Sequence, residues 1–223
     1  MIHTTEEFKL FLLSCPLRKF PKGRIVLYQG ELPQYTYFIK RGVIKAYSIT
    51  ELGEEKIATF ISNNELFPLV WPNDPNSVAL YYYEALSDVE MYLISRDKLM
   101  PFLESNKKAM EYMLQYSIAN YSTSLIRITA LQQPKAQDKI AYILHHLMLR
   151  YGAPTESGKY EINLNLTQQD IAGYIGLTRE TTALELNKLK RRSVISYRNK
   201  RYTVDKTKLL TLINEDSLSS VEA

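Results

Sequence analysis

Residues 166–189, LTQQDIAGYIGLTRETTALELNKL, constrain this chain more than any other stretch. Thr167 is placed to N-cap a helix, and Asp170, three positions on, completes a variant of the reciprocal capping box. Ile171, Ala172 and Ile175 mark one buried stripe, and Gly176 supplies the left-handed residue that stops the helix. Only two residues later Thr178 caps a second helix, whose apolar stripe is Thr182, Leu186 and Leu189. Two short capped helices joined by so tight a turn make a helix-turn-helix.

On the second helix Glu180, Leu184, Asn187, Lys188 and Arg191 fall opposite the stripe, while Arg179 occupies the first turn, where a long side chain reaches past the helix end. Arginine chelates guanine O6 and N7, and glutamate accepts from cytosine N4, so Arg179 and Glu180 form a sensible base-reading pair. Glu180 has a second reading, a charge favourably placed at a helix N-terminus. Near phosphates, however, a carboxylate costs Coulomb energy unless it touches a base, which favours the first reading. Leu184 has no hydrogen bond to give and either meets a thymine methyl or packs on a neighbouring element. Downstream, residues 194–197 and 202–204 flank Arg198, Asn199, Lys200 and Arg201 as a basic hairpin, a wing that sets Lys200 and Arg201 against phosphates. Thr178, Thr181 and Lys188 are further candidates for phosphate contact, and double-stranded DNA is the expected partner.

Charge supports this. Lysine and arginine total 28 against 24 acidic residues, a net +4, and the excess gathers at Lys188, Lys190, Arg191, Arg192, Arg198, Lys200 and Arg201. A chain of 223 residues fits one or two domains, and two are expected here. Cys15 is the single cysteine, which excludes an internal disulfide and a cysteine-ligated iron-sulfur cluster within one chain. No basic start followed by an apolar segment, and no apolar run near the roughly 18 residues of a membrane span, is present, so a cytoplasmic protein is expected. The histidines are His3, His145 and His146. His145 and His146 are adjacent rather than at helical metal-ligand spacing, and read as structural or surface residues. With no histidine in residues 22–94, a metal enzyme on a small barrel has no ligand set there. Neither enzyme activity, nor a metal, nor a cofactor is expected.

Residues 25–28, 35–39, 43–49, 56–61, 78–85 and 89–94 read as short strands punctuated by Gly23, Gly30, Gly42 and Gly53, the pattern of a sandwich or barrel. A helical stretch follows over residues 95–131. Within it Met110, Leu114, Ser117, Tyr121, Ser124, Ile128 and Leu131 alternate spacings of four and three, giving a 3.5-residue seam. That seam faces either a twin helix or the chain's own barrel, and a two-half-site DNA reader favours the twin. Gln132, Gln133 and Pro134 form a hinge. Residues 135–151 make another helix, residues 152–158 a loop, and residues 217–223 a fraying end. Phe67, Trp71, Tyr81, Tyr82 and Tyr83 form an aromatic segment that either lines an effector pocket or fills a core, with alternation sending Tyr81 and Tyr83 one way and Tyr82 the other.

Residues 22–31 (KGRIVLYQGE) and 37–45 (YFIKRGVIK), with residues 166–172 and 178–182, resemble the CRP/FNR family of bacterial transcription regulators, which contains the cyclic AMP receptor protein. The resemblance spans nearly the whole chain. It implies an α+β protein: an N-terminal β-roll of cyclic-nucleotide-binding type (a double-stranded β-helix) with flanking helices over 1–106, a dimerisation helix and hinge over 107–133, and a winged helix-turn-helix over 134–223. It implies a homodimer on a pseudo-palindromic site near a promoter, with RNA polymerase as a further partner. By matching position, Thr167 and Gln169 touch phosphate while Arg179 and Glu180 read bases. Leu184 replaces the family's further arginine. The family's cyclic-nucleotide clamp, a glycine-glutamate pair and then an arginine-serine pair, is also replaced: Pro68 and Leu69, then Ala79 and Leu80, stand in that stretch, and residues 64–85 contain no arginine or lysine. A cyclic phosphate buried there would lack a guanidinium partner, so any small effector is expected to be something other than a cyclic nucleotide. The competing expectation, a cyclic-nucleotide-binding-like regulatory or interaction module that touches no DNA, leaves the two capped helices and the basic wing without a purpose.

Overall fold

The computed structural model describes residues 5–69 and 76–213. Contacts divide the chain into two compact units, residues 1–119 and 120–223. The first holds α1 (Glu6–Leu13), the strands β1 (Leu17–Phe20), β2 (Ile25–Leu27), β3 (Thr36–Arg41), β4 (Ile44–Ile49), β5 (Glu55–Ile61), β6 (Leu66–Phe67), β7 (Tyr82–Ala85) and β8 (Val89–Ile94), then α2 (Arg96–Ser105) and the start of α3 (Lys107–Gln132). The strands form two antiparallel sheets, ordered β1-β8-β3-β6 and β2-β7-β4-β5. Tyr37, Ile39, Phe67, Met91 and Leu93 from one sheet meet Leu27, Ile44, Ala46, Ile61, Tyr83 and Ala85 from the other in a shared core.

Period-two alternation turns the next residues outward. Phe38, Leu66 and Ile94 join Phe8 and Leu12 of α1, Leu99 and Leu103 of α2, and Ala109, Tyr112 and Tyr116 of α3 in a second core. Tyr116 closes the short strand β6, accepting from the Leu66 N–H at 2.9 Å and donating to the Leu66 carbonyl at 3.2 Å. Cys15 is a buried free thiol in this cluster.

Several elements depart from the sequence expectation. β1 was unforeseen because its Arg18 and Lys19 break the alternation; it is an exposed strand paired with β8. β6, two residues long, is too short to carry a pattern. Residues 78–81 are not strand, although Ala79 exchanges backbone hydrogen bonds with Gly30 and Glu31. The helical stretch breaks at Asn106, whose backbone is extended and whose side chain accepts from the Ala109 N–H at 3.0 Å. Gly23, Gly30, Gly42 and Gly53 all have positive φ, as turns at those places require.

The second unit contains the remainder of α3, then α4 (Ala136–Tyr151), β9 (Gly152–Pro154), β10 (Tyr160–Ile162), α5 (Gln168–Ile175), α6 (Arg179–Arg191), β11 (Ile195–Arg198), β12 (Arg201–Val204) and α7 (Lys206–Leu212). A sheet ordered β11-β12-β10-β9 flanks the helices. The expected loop over 152–158 therefore begins as a strand, and α7 is an addition that Asp205 caps through the Lys208 N–H.

His145 and His146 are both buried on α4. Nε2 of His146 lies 2.9 Å from the Tyr174 hydroxyl. Burial first, then the nearby Arg150 and Arg127 charges, pull the His146 imidazole down to about 3 from an ordinary 6.5. A folded-state value below the unfolded one means that the unfolded chain binds the extra proton, so stability falls as pH drops below 6.5. The expected loss is about 2 kcal/mol between pH 6.5 and 5. Urea titrations of the wild type and of His146→Gln, which keeps a hydrogen-bonding group but cannot titrate, should diverge over that window. Parallel pH profiles would disprove the assignment.

Candidate nucleic-acid interface

The helix-turn-helix forms as its caps dictate. Thr167 Oγ1 accepts from the Asp170 N–H at 3.1 Å, while Asp170 Oδ2 accepts from the Thr167 N–H at 2.7 Å and from its hydroxyl at 2.6 Å. Gly176 ends α5 with φ 69°, ψ 33°. Thr178 then caps α6, accepting from the Thr181 N–H at 3.2 Å and donating to Thr181 Oγ1 at 2.9 Å. Both helix N-termini therefore carry a complete side-chain cap, and their dipoles favour an anion at the same end.

Thr182, Leu186 and Leu189 are buried on the inner side of α6, as expected, and so is Glu185. Arg179, Glu180, Asn187, Lys188 and Arg191 are exposed, and Leu184 is 57% exposed, far from the packed site that its second reading required. Among the described residues neither Arg179 nor Glu180 is engaged by a hydrogen bond or ion pair that would hold it to the protein surface. Lys188 is: its Nζ lies 2.6 Å from Oε1 of the buried Glu185.

Thr167, Gln168, Gln169, Arg179 and Tyr197 line one open concavity of about 550 Å³ at the starts of α5 and α6. It brings together the expected phosphate-facing residues Thr167 and Gln169 and the expected base reader Arg179. Tyr197 was not singled out from sequence; its place on β11, across the hairpin from Tyr202, was the available signal.

The wing is a β11–β12 hairpin closed by Asn199 and Lys200, with φ 51° and 64°. Two left-handed residues in succession fit the right-handed twist of the strands they join. Lys200 is exposed at the tip. Arg201 is more constrained, with Nη1 2.7 Å from Glu161 Oε1 and Nε 3.4 Å from Asn165 Oδ1.

On α3, Met110, Leu114, Ser117, Tyr121, Ser124 and Ile128 are all exposed, and Leu131 is half-buried. Ser117 and Ser124 turn their hydroxyls back to the carbonyls of Met113 and Asn120, each at 2.9 Å. Ile118 and Leu125, also exposed, went unnoticed in the sequence. Each stands four residues after a seam member, so together they widen the seam into an apolar face.

The aromatic segment does not converge. Phe67 stacks between Tyr37 and Tyr83, with ring centroids 5.1 and 5.0 Å apart, and these three rings occupy the space between the sheets. Tyr81 packs against the same core. Tyr82 points the other way, onto Tyr47 and Tyr28. Trp71 lies outside the described residues. Rings at this position and the lack of any basic residue in residues 64–85 do not fit a cyclic nucleotide bound there.

Among the described residues no helix is long and apolar enough to cross a membrane. Residues 17–106 match the cyclic nucleotide-binding domain family, and residues 138–212 match the Crp-like helix-turn-helix domain family. The chain is 29% identical to the regulatory protein HlyX of Actinobacillus pleuropneumoniae, across 87% of this chain and 81% of that one. It is 25% identical to the nitrogen fixation regulation protein FixK of Rhizobium meliloti, across 83% and 80%. In fold it is similar to FixK2 from Bradyrhizobium japonicum, with a TM-score of 0.75 at 18% identity over 89% of this chain and 96% of that one. With an N-terminal double sheet, a long helix and a winged helix-turn-helix in that order, the chain belongs to the CRP/FNR family of DNA-binding transcription regulators.

Proposed function

We propose that the protein acts as a homodimer on a pseudo-palindromic DNA site, each α6 entering a major groove with Arg179 and Glu180 on base edges and Leu184 against a thymine methyl. The exposure of these three side chains beside the concavity at the α5 and α6 N-termini carries the reading. Thr167, Gln169, Thr178, Thr181, Lys188, Lys200 and Arg201 supply the phosphate contacts. For Thr167 and Thr178 the hydroxyls already cap helices, so the helix ends themselves present these contacts. Lys188 and Arg201 each leave an internal carboxylate to reach phosphate, which makes Lys200 the strongest pure phosphate contact of the set.

The widened α3 face pairs with its copy, within a division of labour in which 1–106 is the effector-type domain, 107–133 the dimerisation helix and hinge, and 134–223 the DNA reader. The protein works in the cytoplasm with RNA polymerase as a partner and catalyses no reaction. Any small effector of the β-roll is a ligand other than a cyclic nucleotide.

Binding sites selected from random duplexes supply the test. Arg179→Ala is expected to cost about 1 to 3 kcal/mol at one base pair per half-site and to relax preference there. Lys200→Ala should weaken all sequences alike and lower the salt slope by about one. Fluorescence anisotropy across single-base operator variants separates the two outcomes. Equal loss of specificity in both variants, or no binding to any duplex at low salt, would overturn the reading.

A further inference from the structure

Tyr174, in the last turn of α5, is among the largest fully buried side chains of the protein. Three of its groups are engaged from two other helices. Its hydroxyl meets His146 of α4 at 2.9 Å. Its main-chain carbonyl, one of those that a helix end leaves without an internal partner, accepts from Nη2 of Arg127 of α3 at 3.0 Å. Its ring lies 4.3 Å from the same guanidinium. Arg127 thus holds α5 by its C-terminus, immediately before Gly176 and the turn that leads to Thr178 and Arg179. A second arginine, Arg150 of α4, donates to Asn120 Oδ1 of α3 at 3.1 Å, one point of attachment further back along the same helix.

We infer that Arg127 is the positioning residue that fixes the pose of the reading helix relative to α3, and so sets the distance between the two half-sites that a dimer can span. The inference rests on the α3 face being the dimer seam. If two copies pair along α3, anything that locks α5 to α3 also locks α6 of one copy against α6 of the other. Nothing in this contact touches a base, so the sequence read within one half-site is independent of it. The planar guanidinium is suited to the task, because it lies on a ring and donates in its own plane at once, which a lysine ammonium cannot do.

The experiment measures binding of the full-length protein to operators whose two selected half-sites are separated by the native spacer or by spacers one to four base pairs shorter or longer. Wild type is expected to prefer one spacing sharply. Arg127→Ala should lose roughly 10- to 100-fold affinity at that spacing and little at the others, flattening the profile. Its base preference within a half-site should be unchanged. A merely destabilised protein would instead lose affinity at every spacing in proportion. Should Arg127→Ala fail to fold, Arg127→Lys is measured in the same way and should also flatten the profile. Tyr174→Phe, which keeps the ring and the carbonyl, should retain it. A wild-type spacing profile in the folded Arg127 variant overturns the inference. A wild-type protein indifferent to spacing would overturn the two-half-site reading beneath it.

Discussion

A chain carrying Tyr121→Asp is expected to sediment as a monomer at concentrations where the wild type is a dimer. Tyr121 is 67% exposed on α3, amid Leu114, Ile118, Leu125 and Ile128, all at least 46% exposed. An apolar row that long is costly to leave in water and is well suited to cover a copy of itself. Two-fold symmetry doubles the effect of one substitution. Each copy forfeits about 2 kcal/mol of ring burial and gains a carboxylate in an apolar seam. The dimer dissociation constant should rise at least a thousandfold, about 4 kcal/mol. Because the side chain faces solvent in the single chain, the thermal melt of the dilute monomer should hardly change. Sedimentation equilibrium measures the first quantity and circular dichroism the second. A variant that remains dimeric would remove α3 as the interface.

The second large effect concerns stability. Gly42 turns the chain between β3 and β4 with φ 107°, its N–H donating to Asn63 Oδ1 at 2.9 Å. A Cβ there would sit 2.5 Å from the Asp88 carbonyl oxygen and 2.9 Å from Val89 Cα. Both are backbone atoms of the β7–β8 connection, which β8 holds in place, so they cannot swing aside as a side-chain tip can. Gly42→Ala should therefore combine backbone strain with steric overlap and destabilise the N-terminal unit by about 3 to 5 kcal/mol. At Gly53, also with positive φ, a Cβ meets nothing within 4 Å, so Gly53→Ala should lose only about 1 kcal/mol. Chemical denaturation of the pair checks the difference. Equal losses would show that the close approach of the two turns carries no weight.

What could be read from the sequence was what is local. The caps at Thr167 and Thr178, the stop at Gly176 and the buried stripe of α6 each depend on residues within a turn or two of one another, and the structure has them as expected. The wing was equally legible, since its strands are four residues apart. Its left-handed pair was not, because Asn199-Lys200 lacks the glycine that usually announces such a turn. Exposed β1 and two-residue β6 escaped because neither shows an alternating apolar pattern. The grip of Arg127 on Tyr174 joins residues 47 positions apart, and no periodicity marks it. The seam was half visible: two serines at its core positions drew attention from Ile118 and Leu125, which carry much of its apolar surface.

The Leu166 N–H donates to the Lys200 carbonyl at 3.0 Å, tying the tip of the hairpin to the residue just ahead of the Thr167 cap. Wing and reader are therefore one rigid tool rather than a reader with a trailing arm. Meeting DNA requires no segment here to be ordered first, so the speed of capture should be governed by diffusion and by the attraction of the basic surface, and should slow steeply as salt is added.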